Sequence, residues 1–371
     1  MFKTGDFTGD GGSDVVILRS VFNPQRQFYT LEEIQFVNGG TLGQHASISP
    51  QTAMLRQPRV FGIGDIDGDG LNEVAITSEA ASRKRGDKLF LYRGDGRLVR
   101  TQKLGKNGIS IMAVTRLGDV DGDGIAEFAV GATQDRPEKR TLTIVSGRTG
   151  RVLKKLEVSA RGQFAQSLAT ISDRDFDGLP DLLVGGVHRG NPRGGAYSIL
   201  SGRTLQVLHE ERMTSTDAVL GDDVHAGVDV TEDGVPEYVV SLLVRSAANH
   251  VFRVYDGRTD RLLYTIAIPD GFSGALPNQT RLNSRVLDWV SDISFDCIPE
   301  AVVLGDDGQV RLFSGANGNL IREIASASSF ATLTRPTRPY SWTLATSGFT
   351  GQRLLDVRAM FADPVPPSCD R

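Results

Sequence analysis

The chain is short of the residues that would support several common readings. Two cysteines, Cys297 and Cys369, in 371 residues cannot build a disulfide scaffold, and whether they pair depends on geometry that sequence does not give. The five histidines form no His-x-x-x-His pair, and no Gly-x-Ser-x-Gly, phosphate-cradling glycine loop or Cys-x-x-Cys is present. No signature of a hydrolase, nucleotide or zinc enzyme is therefore displayed, and the expectation is that the protein is not an enzyme. Two Trp and seven Tyr are too few to place an aromatic sugar platform in every repeat. That argues against the alternatives of a lectin and, with no convergent acid or base cluster, of a polysaccharide-active enzyme. No apolar run approaches the roughly 18 residues of a membrane helix; the longest, near Tyr238–Val244, has the length of a strand. The charge is balanced too: 41 Lys+Arg against 45 Asp+Glu leave −4, which points to no nucleic-acid partner. The start, Met1 to Asp6, has no apolar signal region, so the expectation is either a cytosolic chain or a fragment lacking its export signal.

What is abundant is glycine, 42 residues, and an acidic loop that recurs. Asp65-Ile66-Asp67-Gly68-Asp69-Gly70-Leu71-Asn72-Glu73 has carboxylates at positions 1, 3, 5 and 9 and glycine at 6. Alternate oxygen ligands on a tight turn can all face one hard cation, and the glycine permits the bend, so such loops suit Ca²⁺. The closing acid at 9, between strand-like flanks, separates it from an EF-hand, which closes at 12 between helices. Copies begin at Asp6, Asp65, Asp119, Asp173, Asp229 and Asp292, 54 to 63 residues apart, with a degenerate copy near Gly348.

Full carboxylate sets stand at Asp65, Asp67, Asp69, Glu73; at Asp119, Asp121, Asp123, Glu127; and at Asp173, Asp175, Asp177, Asp181. The first loop (Asp6, Thr8, Asp10, Asp14) and the fifth (Asp229, Thr231, Asp233, Glu237) carry Thr at position 3 and are expected to bind more weakly. The sixth (Asp292, Ser294, Asp296, Glu300) has Cys297 where the others have glycine. A residue with a Cβ loses about 1 kcal/mol or more in a left-handed conformation. About five Ca²⁺ are therefore expected, with the sixth loop set apart. The loops hold nearly half of the 45 acids, which repel one another unless a cation is bound, and the expected role of the ions is structural.

A second feature repeats between the loops: an alternating strand, a Gly-containing turn and another strand. It appears at Ile34–Leu42, Leu89–Val99, Leu142–Val152, Tyr197–Val207, Phe252–Leu262 and Val310–Leu320, each a β-hairpin pattern. One period is thus strand, acidic loop, strand, connection, strand, turn, strand, the content of a propeller blade. The expected fold is an all-β propeller of four-stranded antiparallel blades filling residues 1–371, with seven blade positions and the last incomplete. Six blades closed by the terminal strands is the alternative.

The chain resembles the FG-GAP repeat family, known best from integrin α-subunit propellers. Phe61-Gly62 before one loop and Gly131-Ala132 after the next match the pattern behind the name, and the Asp-x-Asp-x-Asp-Gly-x-x-Asp/Glu loop matches the family's Ca²⁺ site. The resemblance implies a seven-bladed propeller with Ca²⁺ between first and second strands, placed outside the cell or on its surface and used for adhesion or recognition. It fixes no ligand.

Connections after the second strand are basic: Arg83, Lys84, Arg85, Lys88; Arg136, Lys139, Arg140; His188, Arg189, Arg193; Arg245, His250. In a propeller they share the face opposite the acidic loops, a rim suited to an acidic protein or an anionic glycan. Of two Arg-Gly-Asp triplets, Arg85-Gly86-Asp87 and Arg93-Gly94-Asp95, the second occupies a hairpin turn and serves it. Asn278-Gln279-Thr280 is a glycosylation sequon, meaningful in a secreted protein only.

Overall fold

The computed structural model describes residues 2–23, 28–41, 43–49, 58–78, 86–104, 109–135, 138–158, 164–186, 194–215, 218–244, 249–268, 287–290, 292–294, 296–304, 309–326, 329–334, 342–348 and 351–356. Blade 1 is β1 (Phe2–Gly5), β2 (Asp14–Asn23), β3 (Phe28–Val37) and β4 (Gln44–Ile48). Blade 2 is β5 (Val60–Gly64), β6 (Glu73–Ser78), β7 (Lys88–Tyr92) and β8 (Leu98–Gln102). Blade 3 is β9 (Ile109–Arg116), β10 (Phe128–Asp135), β11 (Glu138–Val145) and β12 (Val152–Val158). Blade 4 is β13 (Phe164–Ile171), β14 (Asp181–Gly186), β15 (Ala196–Leu200) and β16 (Val207–Arg212). Blade 5 is β17 (Ala218–Ala226), β18 (Tyr238–Val244), β19 (Asn249–Tyr255) and β20 (Leu262–Ala267). Blade 6 is β21 (Leu287–Val290), β22 (Glu300–Leu304), β23 (Gln309–Phe313) and β24 (Leu320–Ser326).

Every blade is an antiparallel meander whose strands pair in chain order. The first strands of neighbouring blades lie against one another, β1 on β5, β5 on β9, β9 on β13 and β13 on β17, so they form the inner wall. The C-terminal strands β25 (Ser329–Thr334), β26 (Trp342–Gly348) and β27 (Gly351–Asp356) make a three-stranded sheet. Its first strand touches both β1 and β21. The fold is therefore an all-β propeller of six complete four-stranded blades, with this smaller sheet between the first and the sixth. A seventh complete blade, the implication of the family resemblance, is not formed among the described residues. The degenerate loop copy falls at the β26–β27 connection, where Gly348 pairs with Gly351, rather than after a first strand.

Burial explains the sequence pattern. Second strands sit inside the blade and between blades, so β14 and β22 are buried along their whole length and read as unbroken apolar runs. Fourth strands are outermost, and β16 is exposed or half-exposed throughout. The core is a series of slabs between adjacent blades: Phe7, Ile34 and Phe36 of blade 1 meet Val60, Val74 and Ile76 of blade 2, and Leu142 and Ile144 meet Leu182 and Leu200. Gly131 shows why the motif needs glycine at one such contact. A Cβ there would stand 2.0 Å from the Ala165 carbonyl oxygen of the next blade. Between blades 4 and 5 the slab is polar: Tyr197 and Tyr255 hydroxyls both donate to Glu211 Oε2 at 3.0 Å, and Tyr238 donates to Asp260 Oδ1 at 3.0 Å. Arg174 reaches across from blade 4 to both Asp260 oxygens, at 2.9 and 3.1 Å. Every member is satisfied, which makes this network a latch between the blades.

Candidate metal centres

All six acidic loops join a first strand to a second strand, and one backbone frame builds them all. The position-1 carboxylate accepts the amide of position 6: Asp6 from Gly11, Asp65 from Gly70, Asp119 from Gly124, Asp173 from Gly178, Asp229 from Gly234 and Asp292 from Cys297, each at 2.8 Å. The position-5 carboxylate accepts the amide of position 7, from Gly12 on Asp10 to Ile298 on Asp296, at 2.8 to 3.0 Å. The position-9 carboxylate reaches back to the amide of position 2: Asp14 to Phe7, Glu73 to Ile66, Asp181 to Arg174, Glu237 to Val230 and Glu300 to Ile293, at 2.6 to 2.8 Å. Glu127 does the same with Val120.

The bend uses left-handed backbone twice. Position 6 has φ between 83° and 88° in the five loops with glycine, and Cys297 adopts 71° in the sixth, so the strain expected there is present. Position 4 is left-handed as well: Gly9, Gly68 and Gly122, but also Phe176 at 57° and Glu232 at 59°. The sequence reading missed this second requirement, although three loops signal it with glycine.

Carboxylate oxygens converge within 4.8 Å of one another in four loops: Asp65, Asp67 and Glu73; Asp119, Asp121, Asp123 and Glu127; Asp173, Asp175 and Asp181; Asp292, Asp296 and Glu300. The Thr-containing loops at Asp6 and Asp229 form no such group among the described residues. The remaining oxygen of position 9 sorts the loops further. Asp14 Oδ1 accepts Gly39 N–H at 2.9 Å and Asp181 Oδ1 accepts Gly202 N–H at 3.0 Å. Glu237 and Glu300 use theirs on the amides of Thr231 and Ser294, at 3.2 and 3.3 Å. Glu73 Oε1, Glu127 Oε1 and Asp67 Oδ1 are buried with no hydrogen-bond partner.

Electrostatics point the same way. Burial raises all six position-9 carboxyls, against the hydrogen bonds they accept. Burial and then Asp67, Asp69 and Asp65 push Glu73 up to about 8. Glu300 rises to about 7 and Asp181 to about 6. A buried carboxylate facing two or three others is either protonated or neutralised by a cation. An all-oxygen donor set with orphaned buried oxygens fits a hard divalent ion such as Ca²⁺.

A third component comes from the hairpin turn between third and fourth strands. Arg148, Arg203 and Arg258 occupy the same place in that turn, and each holds the outer oxygen of the position-5 Asp. Their Nε atoms lie 3.1, 3.4 and 2.8 Å from Asp123, Asp177 and Asp233 Oδ2, and the guanidinium also donates to that residue's carbonyl. In blade 2 Arg93, two positions earlier, takes both Asp67 and Asp69, the latter at 2.7 Å. In blade 1 Asn38 donates to Asp10 at 2.6 Å, and blade 6 has Ala316 at the Arg position. Each guanidinium leaves the inner oxygens to the loop. The repeated Ser-Gly-Arg-Thr was the available signal, and the sequence reading took it for turn chemistry alone.

The other sequence-derived candidates fare unevenly. Arg93-Gly94-Asp95 does serve its turn, with Asp95 accepting Arg97 N–H at 2.8 Å. Arg83, Lys84, Arg85, Arg136, His188, Arg189, Arg193 and Arg245 of the basic rim lie outside the described residues, as do the sequon and Cys369. Within them, Lys139 pairs with Glu157.

The class of protein follows from this geometry and from its likenesses. Residues 65–130 match the FG-GAP-like repeat model. Chicken integrin alpha-V is 30% identical over 215 residues, 49% of this chain and 19% of that protein. Drosophila melanogaster integrin alpha-PS2 is 27% identical over 218 residues, 49% of this chain and 14% of that protein. Xenopus laevis integrin alpha-4 is 28% identical over 137 residues, 33% and 13% of the two chains. The aligned part thus spans less than a fifth of these relatives. The crystal structure of BBS1N in complex with ARL6DN superposes with a TM-score of 0.57 at 11% identity, covering 95% of this chain and 91% of that one. The Dos1 propeller gives 0.52 at 11% identity, over 92% and 82%. Both share the fold alone. The chain is an all-β propeller that carries an FG-GAP-like repeat at residues 65–130 and is similar over about half its length to integrin alpha chains.

Proposed function

We propose that this propeller is a Ca²⁺-stabilised, non-enzymatic adhesion or recognition module of the cell surface or extracellular space. The buried, unpartnered oxygens of Glu73 and Glu127 carry the metal part of the reading. An ion there ties the end of the first strand to the start of the second, and through Arg148 or Arg93 to the turn beyond. Ca²⁺ would bind the folded state alone and so add stability by mass action. The similarity to integrin α subunits supports the adhesion and extracellular parts, and no helix among the described residues is long and apolar enough to cross a membrane. The partner is a protein or an anionic glycan held on the basic rim opposite the loops.

Thermal unfolding at matched ionic strength tests the reading. In Ca²⁺ the midpoint should rise by about 10 °C or more over chelator, and Mg²⁺ should not reproduce the gain. Equal midpoints in Ca²⁺ and chelator would reduce the loops to acidic turns.

A further inference from the structure

Blade 6 keeps the frame of the acidic loop, but where the other five loops have glycine at position 6 it has Cys297. The backbone there is left-handed, at φ 71°, a conformation that a side chain makes costly. The Cys297 amide still closes the loop on Asp292, so nothing in the frame calls for a thiol. The sulfur itself is engaged: Cys297 is disulfide-bonded, and no described cysteine is free. The chain has one other cysteine, Cys369, which lies outside the described residues.

Position 6 can carry a cross-link without disturbing the loop. A Cβ built on Gly70, Gly124, Gly178 or Gly234 meets no atom within 4 Å, so a side chain at this position leaves the loop outward. Glycine is asked for by the backbone angle alone. Cysteine can take its place where a bond to something outside the loop offsets the strain.

The C-terminal sheet brings the chain back to the same face. In each blade the acidic loop and the turn between third and fourth strands share one face, as the Arg148–Asp123 contact shows. Fourth strands therefore run away from it, and β25, β26 and β27 then alternate in direction. That sends β27 toward the acidic-loop face, where it ends at Asp356. Its sheet stands beside blade 6, with β25 against β21. Cys369 follows thirteen residues after Asp356, a tether able to span roughly 40 Å, against roughly 10 Å between packed sheets. This sheet is also the one with least to hold it. It has three strands where each blade has four, yet it joins the first blade to the sixth.

We propose that Cys297 and Cys369 form a disulfide that staples the three-stranded sheet to blade 6, closing the ring at the blade whose cation layer has eroded. The two thiols give up two protons and two electrons to a disulfide oxidant such as oxidised glutathione, which leaves as two thiols. The bond encloses about 70 residues, β22 through β27, a length at which a cross-link strongly restricts the unfolded chain. It needs no ion in any loop, and it suits an oxidising compartment.

The test uses the whole chain, oxidised with glutathione disulfide, digested with trypsin without reductant and read by mass spectrometry. Its unfolding midpoint is followed with and without dithiothreitol. Peptides 286–311 and 359–371 are expected to be joined, and oxidised protein to melt about 5 °C or more above reduced protein. Cys369→Ser should melt with reduced wild type and ignore the reductant. Cys297→Gly should melt below oxidised wild type but about 1–2 °C above reduced wild type, because glycine relieves the left-handed backbone. That change of sign separates a staple from a cysteine that is only tolerated. Absence of the joined peptides, a cross-linked dimer in their place, or equal midpoints with and without reductant would overturn the proposal. Each comparison is made within one buffer, so it reads the same whether or not the loops hold Ca²⁺.

Discussion

The loops of blades 3 and 6 have the same backbone and different contents. Both close the position-1 carboxylate on the position-6 amide at 2.8 Å and fold the position-9 glutamate back onto position 2. Blade 3 then adds four converging carboxylates, a glycine at both left-handed positions, the Arg148 clamp and an unpartnered Glu127 oxygen. Blade 6 has Ser294 at position 3, strained Cys297 at position 6, Ala316 in the clamp position, and a Glu300 oxygen spent on the Ser294 amide. Main-chain hydrogen bonds to two carboxylates therefore suffice to build the loop. Cation capacity is a separate layer added on top, and it can erode without loss of the fold.

The largest expected separation comes from Glu127→Gln against Glu300→Gln. Each amide keeps an oxygen for the position-2 N–H and removes the charge. In Ca²⁺, Glu127→Gln should cost about 2–3 kcal/mol by chemical denaturation and Glu300→Gln less than about 1. In chelator Glu127→Gln should not destabilise appreciably, because the lost charge was a buried one and its free oxygen had no partner. Glu300→Gln also removes the acceptor of the Ser294 amide and should show its loss of up to about 1 kcal/mol in either buffer. Equal losses in the two blades would erase the distinction.

A pH series in chelator sharpens the same point. Position-9 carboxyls with folded pKa values above the model-peptide value favour folding while protonated, so that contribution is full below about pH 4.5. It is lost as pH rises, through about 6 for Asp181, 7 for Glu300 and 8 for Glu73. Stability without Ca²⁺ should decline over that range, and Ca²⁺ should flatten the curve by neutralising the same groups. A flat curve in chelator would contradict the burial argument.

The clamp gives a smaller effect. Arg148 is half-exposed, so Arg148→Ala should cost at most about 1 kcal/mol of intrinsic stability. Its measurable consequence is a weaker Ca²⁺ site, by roughly 3- to 10-fold, since the position-5 carboxylate is no longer held. Ala316→Arg should strengthen blade 6 in the same assay. Smallest of all, Phe176→Gly should stabilise by about 0.5–1 kcal/mol, because a residue 88% exposed with φ 57° gains little from its ring and loses its backbone strain.

How much of this could be read beforehand follows from the range of each interaction. The acidic loops and the hairpins are local, nine to eleven residues long, and their composition alone located them at Asp6 through Asp292. The blade meander follows from stringing those units together. Interactions between units were not legible: Arg148 meets Asp123 across 25 residues, and Arg174 meets Asp260 in the next blade across 86. The left-handed position 4 was hidden because Phe176 and Glu232 occupy it against local preference.

The central claim is that blades 2 and 3 hold the strongest ions. Calorimetric titration of Ca²⁺ into chelator-stripped protein, with the Glu73→Gln/Glu127→Gln double variant alongside, tests it most directly. The account predicts that the double variant loses the two tightest sites and keeps the weaker ones. Wild-type stoichiometry and affinity in the double variant would contradict it.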